Sequence, residues 1–387
     1  MLGSMSPVRI LHAHSTFGRG GKEARAVQLM NAFGAAAEHS VITASPGELG
    51  ARDALAPGIR VDFPDDAPPL SGRPGLARLF RLARYMRGFD LVLTYNWGAF
   101  DAVMARYLFA KGMNLPPLVH HEDGFNEDEA GELKTRRNLY RRLALGAAHR
   151  LVVPSVRLEA IARKAWGQPA GRVERIANGI ATGRYAAPPS EPIPGLADRP
   201  GEVTIGTVAG LRAVKNLPRL VRAFAAMTMK EARLVIVGAG PESERIAAEA
   251  RRLGVGDRLV MPGFLADPAR WIGRFDIFAL SSDSEQFPIS LVEAMAAGLP
   301  AVATAVGDVA QMVADDNKPL IVEPDDEAAF AAALDSLAER PDLRRAIGRA
   351  NRERARADYD EGVMIARYAR LYGEAVGRPG AFTTPSR

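Results

Sequence analysis

Residues 281–300 read SSDSEQFPISLVEAMAAGLP. The order of signals in and around this stretch decides the fold. Before it, Asp276–Leu280 (DIFAL) is apolar and ends at Ser281-Ser282, as a buried strand does. A polar loop carrying Glu285 follows, and Ile289–Ala297 then shows helical spacing. Gly298-Leu299-Pro300 closes that helix, and Pro300–Thr304 (PAVAT) is apolar again. Strand, loop, helix and strand within thirty residues make a parallel βαβ unit. Pro288 suits a first helical turn, where its missing N–H is no loss. The free amides of Phe287, Ile289 and Ser290 would then point out of the helix beside the positive dipole end, which suits a phosphate. Glu293 lies about one turn further in, embedded in apolar residues. An ionised carboxylate there can accept hydrogen bonds from a vicinal diol, such as ribose hydroxyls. Glu285 can do the same for a second sugar. The plain alternative makes both glutamates solvated surface charges.

Outward from this unit the alternation continues. Val203–Val208, Arg233–Val237 and Arg258–Met261 read as strands, with helices over Leu217–Met227 and Ser243–Leu253. After Asp325 the pattern is helical nearly to Gly377. The first half repeats the scheme: strands at Val8–His14, Ser40–Ala44, Asp90–Asn96, Pro117–His121 and Leu151–Ser155, and a helix over Glu23–Phe33. Near-continuous apolar strands separated by helices indicate parallel sheets covered on both faces. A chain of 387 residues has length for two such domains. The expected class is therefore α/β, with two Rossmann-like, doubly wound halves facing across a cleft. Five prolines in Ala186–Gly201 mark the best linker. The expected division is 5–185, a linker 186–201, a second domain 202–358, and a C-terminal helix 359–377 packing back on the first.

Composition removes several chemistries. The chain has no cysteine, which excludes a disulfide framework, thiolate metal sites, iron–sulfur clusters and a Cys nucleophile. No apolar run approaches the roughly 20 residues of a membrane span, and no signal peptide is read before the first strand. The expectation is a cytoplasmic protein. Charge is uneven: residues 1–185 hold 25 Lys and Arg against 17 Asp and Glu, residues 186–387 hold 25 against 28. All six histidines lie in the first part, and only seven of the 50 basic residues are lysines. Arg73–Arg87 carries five arginines without an acid, and Lys134–Arg150 six basic residues without one. Both read as basic amphipathic helices suited to an anionic membrane surface, or as solvated faces. No nucleic-acid motif accompanies the charge, so nucleic acid is not an expected partner.

Further candidates lie at strand ends. Gly20-Gly21 separate a strand from a helix, where backbone can approach a phosphate; an ordinary turn is the alternative. Lys215 follows Val203–Val208 and precedes a helix, at the sheet edge where ligands bind. His120-His121-Glu122-Asp123 end a strand. This could be a metal cluster, but no partner spacing such as H-x-x-x-H supports one. Of His12 and His14 on the first strand, one is expected to face the ligand edge. Asp283-Ser284-Glu285 has the look of a metal-binding D-x-D, which the spacing to Glu293 outweighs.

Glu285 and Glu293 are separated by seven residues, with Phe287, Pro288, Glu293-Ala294, Gly298 and Pro300 around them. This resembles the E-x7-E signature of retaining nucleotide-sugar glycosyltransferases of the group 1 (family four) type. Gly20-Gly21-Lys22-Glu23 is similar to that family's Gly-Gly-x-Glu loop, Ile176–Ile180 (IANGI) to its domain-crossing segment, Gly238-Ala239-Gly240-Pro241 to its G-x-G-P turn, and Pro262-Gly263-Phe264 to its loop beside the nucleotide base. The resemblance implies a GT-B fold and transfer, with retention, from a nucleotide-diphosphate sugar, most often a UDP-sugar. It implies a glycan or lipid-linked acceptor of bacterial glycolipid, exopolysaccharide or lipopolysaccharide synthesis, on a cytoplasmic enzyme that is peripheral on the inner membrane face. It also implies His120 near the reacting sugar, Lys215 on the departing diphosphate, and neither metal nor other cofactor. Glu285 joins those two as catalytic, while Gly20, Gly21, Arg212, Gly263, Phe264, Phe287, Pro288, Ile289, Ser290 and Glu293 complete the donor site. Two departures stand out: the family's Arg-Leu before the lysine is Gly210-Leu211 here, leaving Arg212 to compensate, and Gln311 stands where many relatives carry glutamate. A nucleotide-sugar epimerase on the same fold, or a non-catalytic nucleotide-binding scaffold at a membrane surface, are the alternatives.

Overall fold

The computed structural model describes residues 6–72, 75–124, 134–197 and 199–382. Two compact units result: residues up to Ala177 together with those from Met364 onward, and Asn178–Val363.

The first unit begins with β1 (Val8–His14), α1 (Gly21–Phe33), β2 (Ala37–Thr43), β3 (Val61–Asp62) and α2 (Leu76–Met86). It continues through β4 (Leu91–Tyr95), α3 (Phe100–Met113), β5 (Leu118–His121), α4 (Thr135–Ala144), β6 (Arg150–Val153), α5 (Val156–Lys164) and β7 (Val173–Arg175). Among the described residues these strands form one parallel sheet in the order β3-β2-β1-β4-β5-β6-β7. The order reverses between β1 and β4, the topological switch of a doubly wound sheet.

Period-two alternation assigns the two faces. Leu11, Ala13, Val92, Leu118 and Leu151 pack under α2, α3 and α5, while Val8, Ile10, Leu91, Leu93, Val119 and Val152 pack under α1. His12 and His14 differ by two residues, so both fall on the α1 face, against the expectation that they diverge. Their rings stack at 6.4 Å, and each lies against Tyr95. His120 and His121, adjacent in sequence, do diverge.

The second unit comprises β8 (Val203–Val208), α6 (Leu217–Ala226), β9 (Ala232–Val237), α7 (Ser243–Arg252), β10 (Leu259–Gly263), β11 (Ile277–Leu280) and α8 (Ile289–Ala296). It ends with β12 (Ala301–Thr304), α9 (Val309–Met312), β13 (Ile321–Val322), α10 (Glu327–Glu339) and α11 (Pro341–Asp358). Its described strands form a parallel sheet in the order β10-β9-β8-β11-β12-β13, again reversing beside its first strand. The switch brings the loops after β8 and β11 to one edge.

The chain passes from the first unit to the second after Ala177 and returns after Val363, within α12 (Glu361–Ala375). Both passages start from one place on the second unit, where Ile180 N–H donates to Tyr359 O (3.0 Å) and Glu361 N–H to Ile180 O (2.8 Å). From Met364 on, α12 buries Tyr368, Leu371 and Tyr372 in the core on the α1 face, where both tyrosines lie against His121 of β5 and Tyr372 also against Phe33 of α1. The proline-rich stretch 186–201 is part of the second unit rather than a spacer. Ile193 is buried, and the amides of Ser190 and Glu191 both donate to Arg270 O.

The basic helices are also partly structural. Arg73 lies outside the described residues. Arg78 is buried, donating to Asp101 and to the carbonyls of Ser71 and Gly72. Arg141 is fully buried, its guanidinium 5.0 Å from both Trp97 and Trp166. Arg81, Arg84 and Arg87 remain exposed, near exposed Leu76 and Phe80. No helix among the described residues is long and apolar enough to cross a membrane.

Four buried histidines of the first unit give its stability a pH dependence. His12 Nε2 and His39 Nδ1 share a hydrogen bond of 2.9 Å, His14 has no hydrogen-bond partner on either ring nitrogen among the described residues, and Tyr372 OH donates to His121 Nε2 at 2.7 Å. Burial pushes all four pKa values down, His39 to about 4 and His121 to about 3. The unfolded chain binds these protons near pH 6.5 while the folded unit refuses them, so stability is complete above that pH and falls toward pH 4. A drop of at least about 6 °C in the first unit's melting midpoint between pH 7 and pH 5 is expected in calorimetry. His39→Gln should flatten the slope.

Candidate active site

In the second unit the loop after β8 crosses the loop after β11 and is stitched to it. Asp283 N–H donates to Val214 O at 2.9 Å, and Ser281 Oγ reaches the carbonyls of Lys215 and Asn216, each at 3.1 Å. Asn216 takes the left-handed region (φ 41°), caps α6 by accepting from Arg219 N–H, and holds Asp283 with its amide. Arg219 donates to Ser281 O (2.9 Å) and pairs with Asp283 at 2.7 Å. Asp283 is thus engaged by one cation, Arg219, and one neutral amide, Asn216.

This stitching places Lys215 Nζ 2.5 Å from Glu285 Oε1, which also accepts from Ser282 Oγ at 2.7 Å. Both side chains are largely shielded, at 18% and 10% exposure. The loop carrying Glu285 passes so close to Gly307 that a Cβ there would stand 2.2 Å from Glu285 O; Gly307 also has φ +57°. Only glycine fits both demands.

Helix α8 starts at Ile289, as the spacing predicts, with Pro288 as its N-cap rather than inside the first turn and no side chain capping it. The amides of Ile289 and Ser290 therefore open at a helix N-terminus with no acid in its first turn. Phe287 sits edge-on to Tyr359 at 5.5 Å. On α8, Glu293 Oε1 accepts from Tyr185 OH at 3.2 Å. Burial raises the Glu293 carboxyl to about 7, with Asp267 adding to the rise and Tyr185 opposing it. Tyr185 went unnoticed in the sequence, where it closes the segment after Ile176–Ile180 without any motif of its own.

The G-x-G-P turn holds the remainder. A Cβ on Gly238 would meet Ala209 O at 1.8 Å and one on Gly240 would meet Leu211 O at 2.4 Å, so the turn lies directly on residues 209–211. Leu211 is buried, and Arg212 is exposed with its Nε 3.7 Å from the Cβ that Gly210 lacks. The guanidinium thus lies over the position where the resemblance would put an arginine. Gly263 (φ 83°) accepts from Gly238 N–H and turns the chain at the end of β10, leaving Phe264 75% exposed. Gln311 is exposed on α9, and nothing in the structure explains it.

The first unit's candidates behave differently. Gly20 is the N-cap of α1, and a Cβ there would approach Glu23 Oε2 to 2.5 Å, whereas one on Gly21 would meet open space. The buried Glu23 carboxylate, held by Thr16 and Lys22, occupies this helix end itself. His120 is fully buried, with Nδ1 2.8 Å from Thr94 Oγ1, its ring edge-on to Phe100, and Nε2 3.7 Å from Glu122. No atom of it opens to a ligand. Burial would push Asp123 up, but a two-pronged pair with Arg25 holds it below the usual carboxylate range. Among the described residues no group of three or more His, Asp or Glu is gathered as a metal site.

Two parallel doubly wound units with this edge geometry define a GT-B protein, and solved GT-B structures superpose on nearly the whole chain. HepE of Anabaena in complex with UDP matches at TM-score 0.73 and 18% identity, over 95% of this chain and 100% of that one. Residues 194–354 match the model of glycosyl transferases group 1, and residues 19–184 that of glycosyltransferase family 4. The chain belongs to the group 1 glycosyltransferases. Curated relatives include N-acetyl-alpha-D-glucosaminyl L-malate synthase of Bacillus anthracis, 28% identical over 43% of this chain and 44% of the relative. Another is the N-acetylgalactosamine-N,N'-diacetylbacillosaminyl-diphospho-undecaprenol 4-alpha-N-acetylgalactosaminyltransferase of Campylobacter jejuni, 30% identical over 43% and 45%. The chain spans about half the length of the curated relatives it matches.

Tyr185→Phe tests the account of Glu293. Removing the hydroxyl that stabilises the ionised carboxylate should raise the Glu293 pKa above about 7, read by NMR titration of the labelled side chain. An unchanged or lower value would contradict it.

Proposed function

We propose that this chain is a retaining glycosyltransferase that moves a sugar from a nucleoside-diphosphate donor, with UDP as the favoured base carrier, to a glycan or lipid-linked acceptor in bacterial glycoconjugate synthesis. The observation that carries the proposal is the adjacency of Lys215 and Glu285 at 2.5 Å. A cation for a diphosphate and a carboxylate for sugar hydroxyls lie one hydrogen bond apart, as the two halves of a nucleotide sugar require. Support comes from the uncapped start of α8 for phosphate oxygens, from Glu293 for a ribose diol, and from exposed Phe264 for a base. The curated relatives' names, a glucosaminyl synthase and a diphospho-undecaprenol glycosyltransferase, point the same way.

In this reading the C1–O bond to the diphosphate breaks as the acceptor oxygen bonds to C1 on the same face. The acceptor's proton passes to the departing phosphate, and the nucleoside diphosphate leaves. Lys215, with Arg212 standing in for the arginine absent at Gly210, takes the growing charge. His120, being buried, shapes the end of β5. The exposed arginines of α2 keep that helix as the proposed contact with an anionic membrane.

Lys215→Ala should lower kcat about a hundredfold, roughly 3 kcal/mol, with a smaller effect on donor binding, because the charge it faces grows only in the transition state. Near-normal kcat at saturating donor would remove Lys215 from that role. The proposal assigns no resident metal, so turnover should persist in EDTA; loss restored by Mn²⁺ would bring Asp283 back into consideration. UDP affinity should rise about tenfold between pH 6 and pH 8, as the Glu293 carboxyl, at about 7, ionises and accepts the diol. In Glu293→Gln that component of the calorimetric pH profile should vanish.

A further inference from the structure

The α2 face of the first unit's sheet is left open over β2 and β3. The connection between those strands, residues 44–60, forms no α-helix, and its apolar residues Leu49, Ala51, Leu55 and Ile59 pack on the α1 side instead. The opening is a cavity of about 440 Å³, within the roughly 300–1,000 Å³ of small-molecule sites. It lies at the amino half of the strands, away from their carboxyl ends, and none of the donor residues above lines it.

Its chemistry departs from what a parallel sheet needs. Strands covered on both faces are apolar throughout, and Leu11 and Ile42 on this face obey that rule. Earlier along the strands the same face carries Arg9 opposite Glu38, then Ser40 opposite Asp62, with Arg60 at the start of β3. Arg60 pairs with Glu38 and donates to Ala35 O at 3.0 Å. That leaves Arg9 and Asp62, both exposed, without an ion pair among the described residues. Ser40 is only 7% exposed, and its Oγ makes no well-formed hydrogen bond among the described residues, although Tyr85 lies beside it. Tyr85 and Phe89 supply aromatic surface, with centroids 5.5 Å apart and the Arg9 guanidinium 5.7 Å from the Phe89 ring.

The signs of these groups select the occupant. An anion would meet Glu38 and Asp62, and a cation would meet Arg9 and Arg60, so neither charge gains on balance. A sugar hydroxyl donates to a carboxylate and accepts from a guanidinium, and so uses both. The C–H face of a pyranose ring suits an aromatic wall, and a buried serine hydroxyl can donate or accept at the floor. We propose that this cavity is a binding site for an uncharged saccharide, distinct from the Lys215–Glu285 site. Arg9 and Asp62 take ring hydroxyls at the rim, and Ser40 takes the hydroxyl that reaches the floor. The inference uses no donor-site residue and does not rest on the glycosyl-transfer reading.

The test is saturation-transfer NMR on the full chain with the methyl glycosides of glucose, galactose, mannose and N-acetylglucosamine. At least one should bind saturably, with an affinity unchanged by excess UDP and by high salt, since the ligand has no charge to screen. Arg9→Gln/Asp62→Asn should weaken that binding about tenfold or more, and Asp62→Asn alone about threefold or more. Both changes are exposed and leave the core intact. In the unsubstituted chain the ring resonances of Tyr85 and Phe89 should shift during the titration, which locates the ligand without any substitution. Failure of all four glycosides to saturate, binding abolished by UDP or by salt, or indifference to the double substitution overturns the proposal. So does a stronger response of the two rings to inorganic phosphate or to glycine, which would make the site one for an anion or a zwitterion. If UDP itself fails to bind, the donor reading falls, while the glycoside titration still decides the cavity.

Discussion

The stitch between the loops after β8 and β11 is the constraint from which the second unit's chemistry follows. A hydroxyl on Ser281 bridging two carbonyls, and the Asp283 amide on Val214 O, fix residues 214–216 against residues 281–283. Neither contact involves Lys215 Nζ or the Glu285 carboxylate, yet together they set the distance between them. Side chains positioned by backbone pinned in this way need little reorganisation when charge develops nearby, which is how electrostatic stabilisation acquires its size. Gly307 and Gly238 serve the same end, since each lets a neighbouring carbonyl approach where no side chain could stand.

The first unit solves a different problem. Its sheet buries histidines, tyrosines and the Arg25–Asp123 pair on the α1 face, where the partners come from α12 as well as from the strands. Tyr372 can donate to His121 because His121 Nδ1–H already points at Thr94 O, which fixes the tautomer. A polar core of this kind is costly unless satisfied, and it ties α12 to the unit through geometry that apolar packing alone would not specify.

Much of this was legible in the sequence. The long strands, many of the helices between them and the glutamate-bearing stretch were readable because each carries either a continuous apolar run or a 3.6-residue period over two or more turns; α3 and α5 were not read from the sequence. Strands β3, β7 and β13 were not, because they have only two or three residues and exist through pairing with a neighbour, as Val61 does with His39 and Ile321 with Ala303. The linker was misread for a related reason: proline density signals irregular backbone, but burial of Ile193 is a tertiary event. At the site, Lys215 and Glu285 could be named, but their contact could not, since it spans 70 residues and depends on strand order. Tyr185 and the cavity beside Tyr85 were invisible, because neither belongs to a spacing pattern.

The two units also differ in how they hold charge before any ligand arrives. In the second, two of the cations at the edge are matched by carboxylates, Lys215 by Glu285 and Arg219 by Asp283, while Arg212 is exposed. A diphosphate entering there would exchange one anion for another on Lys215, leaving Glu285 available to accept hydrogen bonds from the sugar that arrives with it. The ion pair thus keeps both groups poised without leaving either charge unsatisfied in a largely shielded site. In the first unit, by contrast, Arg136 stands at a helix start with no acid of its own in that turn. On electrostatic grounds, then, an anion that reaches Lys215 has to displace Glu285 from it, whereas exposed Arg212 can meet the same anion without that exchange.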